Sequence, residues 1–190
     1  MKLEVRPLAL PDVKLICSAR ARDQRGYFAE TYVRRDFEAA GLTCDFVQDN
    51  QSGSAAAGTI RGLHFQIPPF AQTKLVRVLR GRILDVVVDL RRSSRSYGEH
   101  LAVELSEAAG EQLLVPAGFA HGFCTLEPDS IVFYKVDNVY SAEHDRGVHR
   151  ADASLGIEWP VAAADAVVSE KDRGLPQFRE LPAYFDRGER

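Results

Sequence analysis

Residues 59–66, TIRGLHFQ, hold the side chain best suited to chemistry, His64. It stands between Leu63 and Phe65, three residues after Arg61 and ten before Lys74. His121, in PAGFAHGF, and Tyr134, in IVFYKV, come later. A histidine can ligate a metal, move a proton near neutral pH, or fill space in a sheet. The metal reading needs partners. Residues i and i+2 of a strand face the same way, so His-x-His would aim two imidazoles at one ion. Here position i+2 is Gln66, a poor ligand, and no acidic residue follows in the next dozen positions. His121 adds a second imidazole but no carboxylate, and catalytic metal sites commonly use three protein ligands. No metal is expected. A lone histidine on a strand is more often structural, but His64 has Arg61, Lys74, His121 and Tyr134 for company. Burying such a titratable set is costly without a task.

These groups must be positioned by strands. From about residue 58, short apolar runs alternate with turn signals: LVRVL (75–79), ILDVVVDL (83–90), LAVEL (101–105), EQLLV (111–115), GFCTL (122–126) and IVFYKV (131–136). Their spacing and β-branched content predict an all-β fold, an antiparallel sandwich or barrel-like jelly roll with a few short helices. The turn before Lys74 is expected to return its strand beside that of His64. Tyr134 and Tyr140, six residues apart, would share a face on an unbroken strand. VRRDFEAAGL (33–42) reads as a helix ending at Gly41, with further short helices around 167–172 and 182–187. VVVDL reads as buried on both faces. A second subunit covering one sheet would explain that, so a homodimer is expected.

With 190 residues, the chain suits one domain over 1–190. A net charge of -3 gives no sign of nucleic-acid binding. The basic run LRRSSRS (90–96) reads as a solvated loop. Cys17, Cys44 and Cys124 are widely spaced and odd in number, which supports neither a disulfide framework nor a thiolate zinc site. MKLEVRPLAL lacks the apolar run of a signal peptide. No stretch nears ~18 uninterrupted apolar residues, so no membrane span is expected, and the expected setting is the cytosol.

Taken together, FVQDNQS (46–52), IRGLHFQ (60–66), AQTKLVRVLRGRILDVVVDLR (71–91), PAGFAHGF (116–123), FYKVDNVYS (133–141) and LGIEWP (155–160) resemble the dTDP-4-dehydrorhamnose 3,5-epimerases. DQRGYFAETY (23–32) is similar to that family's nucleotide-contacting stretch, and SEKDRGLP (169–176) to its C-terminal motif. The resemblance implies a metal-free, cofactor-free cupin-fold homodimer acting on a nucleotide-linked 4-keto-6-deoxyhexose. It implies that His64 is the base, Tyr134 the acid, Asp172 the partner orienting the base, and Lys74 the group near the keto oxygen. Arg25, Glu30, Gln48, Asn50, Arg61, His121, Asp145 and Lys171 would contact substrate, with Tyr140 stacking on thymine. Asp145 stands where a glutamate is usual, Arg150 where tryptophan is common and Gln51 where histidine is common, all expected near the nucleotide.

The chemistry explains the residue types. A 4-keto group acidifies the C–H bonds at C3 and C5, because either carbanion delocalises onto oxygen as an enolate. A histidine of near-neutral pKa can take the proton, and a carboxylate can fix its tautomer. A lysine can stabilise the enolate oxygen, and a phenol can return a proton from the far face. Arginine forks suit the pyrophosphate. No G-x-G-x-x-G is present to hold a redox cofactor. Neighbouring readings are an epimerase of one centre only, or one using a GDP- or CDP-linked sugar. Readings from other classes are a non-catalytic sugar-binding cupin and a metal-dependent cupin enzyme.

Overall fold

Apolar runs punctuated by glycine and proline fold into two packed antiparallel sheets. The computed structural model describes residues 3–185. Its strands are β1 (Leu3–Pro7), β2 (Lys14–Ser18), β3 (Ala21–Asp23), β4 (Gly26–Phe28), β5 (Gln48–Ser54), β6 (Ile60–Gln66) and β7 (Lys74–Arg80). They continue as β8 (Arg82–Asp89), β9 (His100–Ser106), β10 (Glu111–Val115), β11 (Phe119–Thr125), β12 (Ser130–Val136) and β13 (Asp145–Gly147). The helices are α1 (Arg34–Ala39) and α2 (Glu170–Arg173), with a 3-10 turn at Phe178–Glu180. One sheet has the order β1-β2-β10-β7-β12-β5 and the other β13-β6-β11-β8-β9, while β3 and β4 form a separate hairpin. All six predicted strands are present, and the jelly-roll expectation holds. The helix expected around 182–187 is absent from 182–185, and its last two positions lie outside the described residues.

Three apolar layers hold the sheets. Val76, Val78 and Val132 of the first sheet meet Ile83, Val87, Phe119 and Phe123 of the second, and Tyr134 packs at the edge of this cluster. Leu75 and Leu114, on the first sheet's other face, pack with Phe37 of α1. Leu63, Phe65, Val86 and Val88, on the second sheet's other face, pack with Leu155, Leu181 and Phe185. Fully burying one such side chain stabilises the fold by about 1.5–3 kcal/mol. Strand β8 is indeed buried on both faces, but the cover comes from the chain's own C-terminal segment. The sequence argument for a second subunit therefore loses its premise.

Two other expectations need correction. β7 does not return beside β6; it lies in the opposite sheet, so residues 67–73 cross the sandwich. Pro68 and Pro69 come one residue after β6 and lack the N–H groups a hairpin ladder would use. The basic run is not simply solvated. Arg91 donates from Nε and Nη2 to the fully buried Asp89 carboxylate at 2.9 and 2.7 Å, and pairs with Asp12 at 2.8 Å.

Candidate active site

Strand β6 sorts its side chains by alternation. Leu63 and Phe65 enter the outer apolar layer, which turns His64 and Gln66 toward the space between the sheets. His64 Nε2 lies 2.6 Å from Oδ1 of Asp172, a residue 108 positions later. Asp172 belongs to α2, where the Ser169 hydroxyl accepts its N–H at 3.1 Å. The other carboxylate oxygen, Oδ2, accepts the Gly62 N–H at 3.0 Å. Burial pushes the Asp172 carboxyl up, but the bonds from His64, Gly62 and Ser169 outweigh it, and the group lies below its ordinary value. A fixed carboxylate beside the ring is the arrangement a general base requires.

Gly62 makes this contact possible. Its φ is 115°, a region that suits glycine, and a Cβ there would sit 2.8 Å from both the His121 carbonyl oxygen and Gly122 Cα. The pairing of β6 with β11 slips at this point, between His121 and Phe123. The close approach of two glycines thus lets the Gly62 amide reach Asp172. The motif IRGLH held this signal, in a glycine next to the catalytic candidate.

The facing sheet supplies the other groups. Lys74 opens β7 and is 9% exposed; its Nζ donates to the His64 carbonyl oxygen at 3.4 Å. Burial pushes its ammonium down to about 8, with Asp145 and Asp85 pulling the other way. Tyr134, on β12, faces the cavity from this sheet, and burial raises its phenol above the ordinary value. Gln48 and Asn50 of β5 line the same space, joined by a 2.9 Å bond. The His64 imidazole and the Tyr134 phenol therefore sit on opposing walls.

The space is a cleft of two lobes, ≈ 480 and ≈ 380 Å³, which share His64, Lys74, Tyr134 and Lys171. Arg61 and His121 line the larger lobe. Arg61 is held by Ser54 Oγ at 3.1 Å and the Gly53 carbonyl at 2.8 Å. His121 pairs in register with His64 and forms a second imidazole–carboxylate contact, Nε2 to Asp85 Oδ2 at 2.9 Å. Sequence reasoning missed Asp85, which lies hidden in the apolar run of β8. Tyr140 and Asp145 line the smaller lobe. Asp145 Oδ2 accepts from Tyr140 Oη at 3.2 Å and from Lys171 Nζ. This bond, the largest influence on Lys171, raises its pKa. Tyr140 reaches the lobe from the segment after β12, which ends at Val136, rather than from an unbroken strand.

Not every predicted residue joins the cleft of one chain. The Arg25 side chain is 84% exposed at the β3–β4 turn and pairs with Asp23. Glu30 lines a separate small cavity with Leu3, Val33 and Phe37. Gln51 is exposed, alternating with Gln48 and Asn50, and lines neither lobe. Arg150 lines a third cavity beside Trp159 and Ile157, not the cleft. Of the three departures, Asp145 alone touches the site. Among the described residues, no group of three His, Cys, Asp or Glu side chains is placed to hold a metal ion.

A cupin-like sandwich with paired imidazole and carboxylate on one wall, and lysine and phenol on the other, holds the groups that an acid–base isomerase would use. Residues 7–180 match the family model described as dTDP-4-dehydrorhamnose 3,5-epimerase. The chain is 50% identical over 178 residues to the dTDP-4-dehydrorhamnose 3,5-epimerase of Sinorhizobium fredii, covering 94% of this chain and 91% of the relative. The Bacillus anthracis enzyme, solved with TDP and PPi bound, is 51% identical, with a TM-score of 0.89 over 92% of this chain and 99% of its own. A Legionella pneumophila epimerase, solved in complex with dTDP-4-keto-L-rhamnose, is 34% identical, with a TM-score of 0.92 over 99% of this chain and 100% of its own. The chain belongs to the dTDP-4-dehydrorhamnose 3,5-epimerase family.

Proposed function

We propose that this chain, folded as one domain, inverts C3 and C5 of dTDP-4-dehydro-6-deoxy-D-glucose to give dTDP-4-dehydro-L-rhamnose, as a step of dTDP-L-rhamnose synthesis. The observation that carries this reading is the His64–Asp172 contact facing Tyr134 across a cleft that also holds Lys74. Asp172 accepts the Nε2 proton of His64, leaving Nδ1 free to take a proton from carbon. Electron density moves onto the 4-keto oxygen, where the Lys74 ammonium stabilises it. One such donor is worth roughly 2.7–4 kcal/mol. Tyr134 then protonates the carbon from the opposite face, and inversion follows. His121, held by Asp85, can accept or donate at a sugar hydroxyl. Arg61 and Lys171 suit the pyrophosphate, and the exposed Tyr140 ring suits the thymine face.

Incubation with dTDP-4-dehydro-6-deoxy-D-glucose in D₂O, followed by NMR, tests this directly. Deuterium should enter at both C3 and C5. Label at neither would overturn the reading, and label at one centre would make the chain a mono-epimerase.

The functional unit we propose is a homodimer. Tyr27 and Phe28 on the β3–β4 hairpin are 52% and 67% exposed, beside the predicted substrate contact Arg25, which does not reach the cleft of its own chain. A second copy receiving this hairpin would bury the rings and give Arg25 a substrate. Sedimentation should give twice the chain mass, and a monomer at working concentration would sink the dimer.

A further inference from the structure

Gln66 occupies the position where a second histidine would have made a metal pair with His64. It is 4% exposed and lines the smaller lobe. Its amide is fully engaged. Nε2 donates to the Phe70 carbonyl at 2.7 Å and to the Val139 carbonyl at 3.1 Å, and Oε1 accepts the Ser141 N–H at 2.7 Å. The orientation is unambiguous, because carbonyls only accept and a backbone N–H only donates.

These partners share a purpose. Val139 and Ser141 flank Tyr140, which is 58% exposed. Phe70 lies in the crossing that leads from β6 to Lys74. The same two segments are stitched again, Asn138 Nδ2 to the Pro69 carbonyl at 2.9 Å and Gln72 Nε2 to the Asn138 carbonyl at 2.8 Å. An exposed ring is thus carried on backbone that is fastened on both sides to one buried side chain.

We propose that Gln66 is a positioning residue that holds Tyr140 at the nucleotide end of the cleft, setting affinity for the nucleoside diphosphate rather than the rate of proton transfer. This rests on the reading above that the base stacks on Tyr140. Glutamine suits the task because it offers two donors and an acceptor at one tip. Glutamate could still accept from Ser141 but would turn a carboxylate toward two carbonyl oxygens. A segment ordered before binding spares the ligand that ordering cost, which raises affinity.

The test measures TDP binding by calorimetry, together with kcat and KM, for wild type, Tyr140→Ala, Gln66→Met and Gln66→Glu. Gln66→Met should weaken TDP about tenfold, as expected for lost buried hydrogen bonds, and raise KM similarly. Its kcat should stay within about twofold of wild type, the pattern of lost uniform binding. Gln66→Glu should bind TDP no better than Gln66→Met. Amide exchange gives an independent signature: the Ser141 N–H should exchange slowly in wild type and rapidly in Gln66→Met. Unchanged TDP affinity in Gln66→Met, or lost kcat at constant KM, overturns the proposal. If Tyr140→Ala also binds TDP normally, the base-stacking reading fails with it; if only Tyr140→Ala weakens TDP, the positioning role alone fails. Should Gln66→Met not fold, the wild-type Ser141 amide still decides. Exchange slower than at the exposed Ala142 amide next to it supports the fastening, and equally fast exchange overturns it.

Discussion

In the proposed mechanism, Tyr134 and Lys74 serve separate halves of the reaction. In Tyr134→Phe, His64 can still remove a proton and Lys74 can still hold the enolate, but the donor on the far wall is gone. Inversion should slow by ~10²–10⁴, the usual contribution of a positioned acid. Deuterium exchange into the substrate should fall less, because the enolate recaptures a proton from the His64 side. Equal loss of exchange and inversion, read by NMR in D₂O, would remove Tyr134 as the acid. Lys74 makes a pH prediction. Its folded pKa is lowered to about 8 from 10.5, so enolate stabilisation should fade as pH rises through about 8. The stability effect has the opposite sense. Between pH 8 and 10.5 the unfolded chain binds the proton that the folded chain has lost, so stability rises with pH there. The burden of burying the ammonium, roughly 3–4 kcal/mol, is full below pH 8 and lifts toward 10.5. Lys74→Met should therefore exceed wild type in urea stability at pH 7, with the gap closing by pH 10. No gap at pH 7 would show that the ammonium is well solvated.

Among the elements, the contact of β6 with β11 governs the site. A Cβ on Gly122 would lie 2.6 Å from the Arg61 carbonyl oxygen, whereas one on Gly53 of β5 meets nothing within 4 Å. Gly122→Ala should push the strands apart where Gly62 reaches Asp172, costing about 1–3 kcal/mol as overpacking usually does and lowering kcat as well. Gly53→Ala should stay within about 0.5 kcal/mol. Thermal melts and kcat for the pair check this, and equal melting would show that the bulge absorbs the methyl. These elements were unevenly legible. β7, β8 and β10 announced themselves by apolar runs, because burial on both faces leaves no polar alternation to misread. β5, QDNQSGS, was readable only by motif, since its inward residues are the polar lining of a cleft. Lys74 was rightly placed near His64 but by the wrong route. Asp172 could not be found by spacing, because 108 residues separate it from its partner. Gln66 gave no sign of its three bonds, because an amide's partners are set by tertiary contacts alone.

Across the whole molecule, strand formation and site completion occupy different stretches of chain. The last strand, β13, ends at Gly147, while Asp172 and the cover provided by Leu181 and Phe185 come from the segment that follows. That segment runs through exposed residues 162–165 before α2. A protease cut there should leave the far-ultraviolet spectrum of the sheets nearly intact, yet abolish turnover once the C-terminal fragment is removed. Turnover that survives removal would mean His64 does not depend on Asp172. The order of the chain also has a meaning for biosynthesis. A ribosome that stalls after β13 releases a product with all the described strands but without Asp172 beside His64. Such a product would keep most of the cleft lining but lack Asp172, so in the proposed mechanism an unfinished copy would not release a half-processed sugar into the cell.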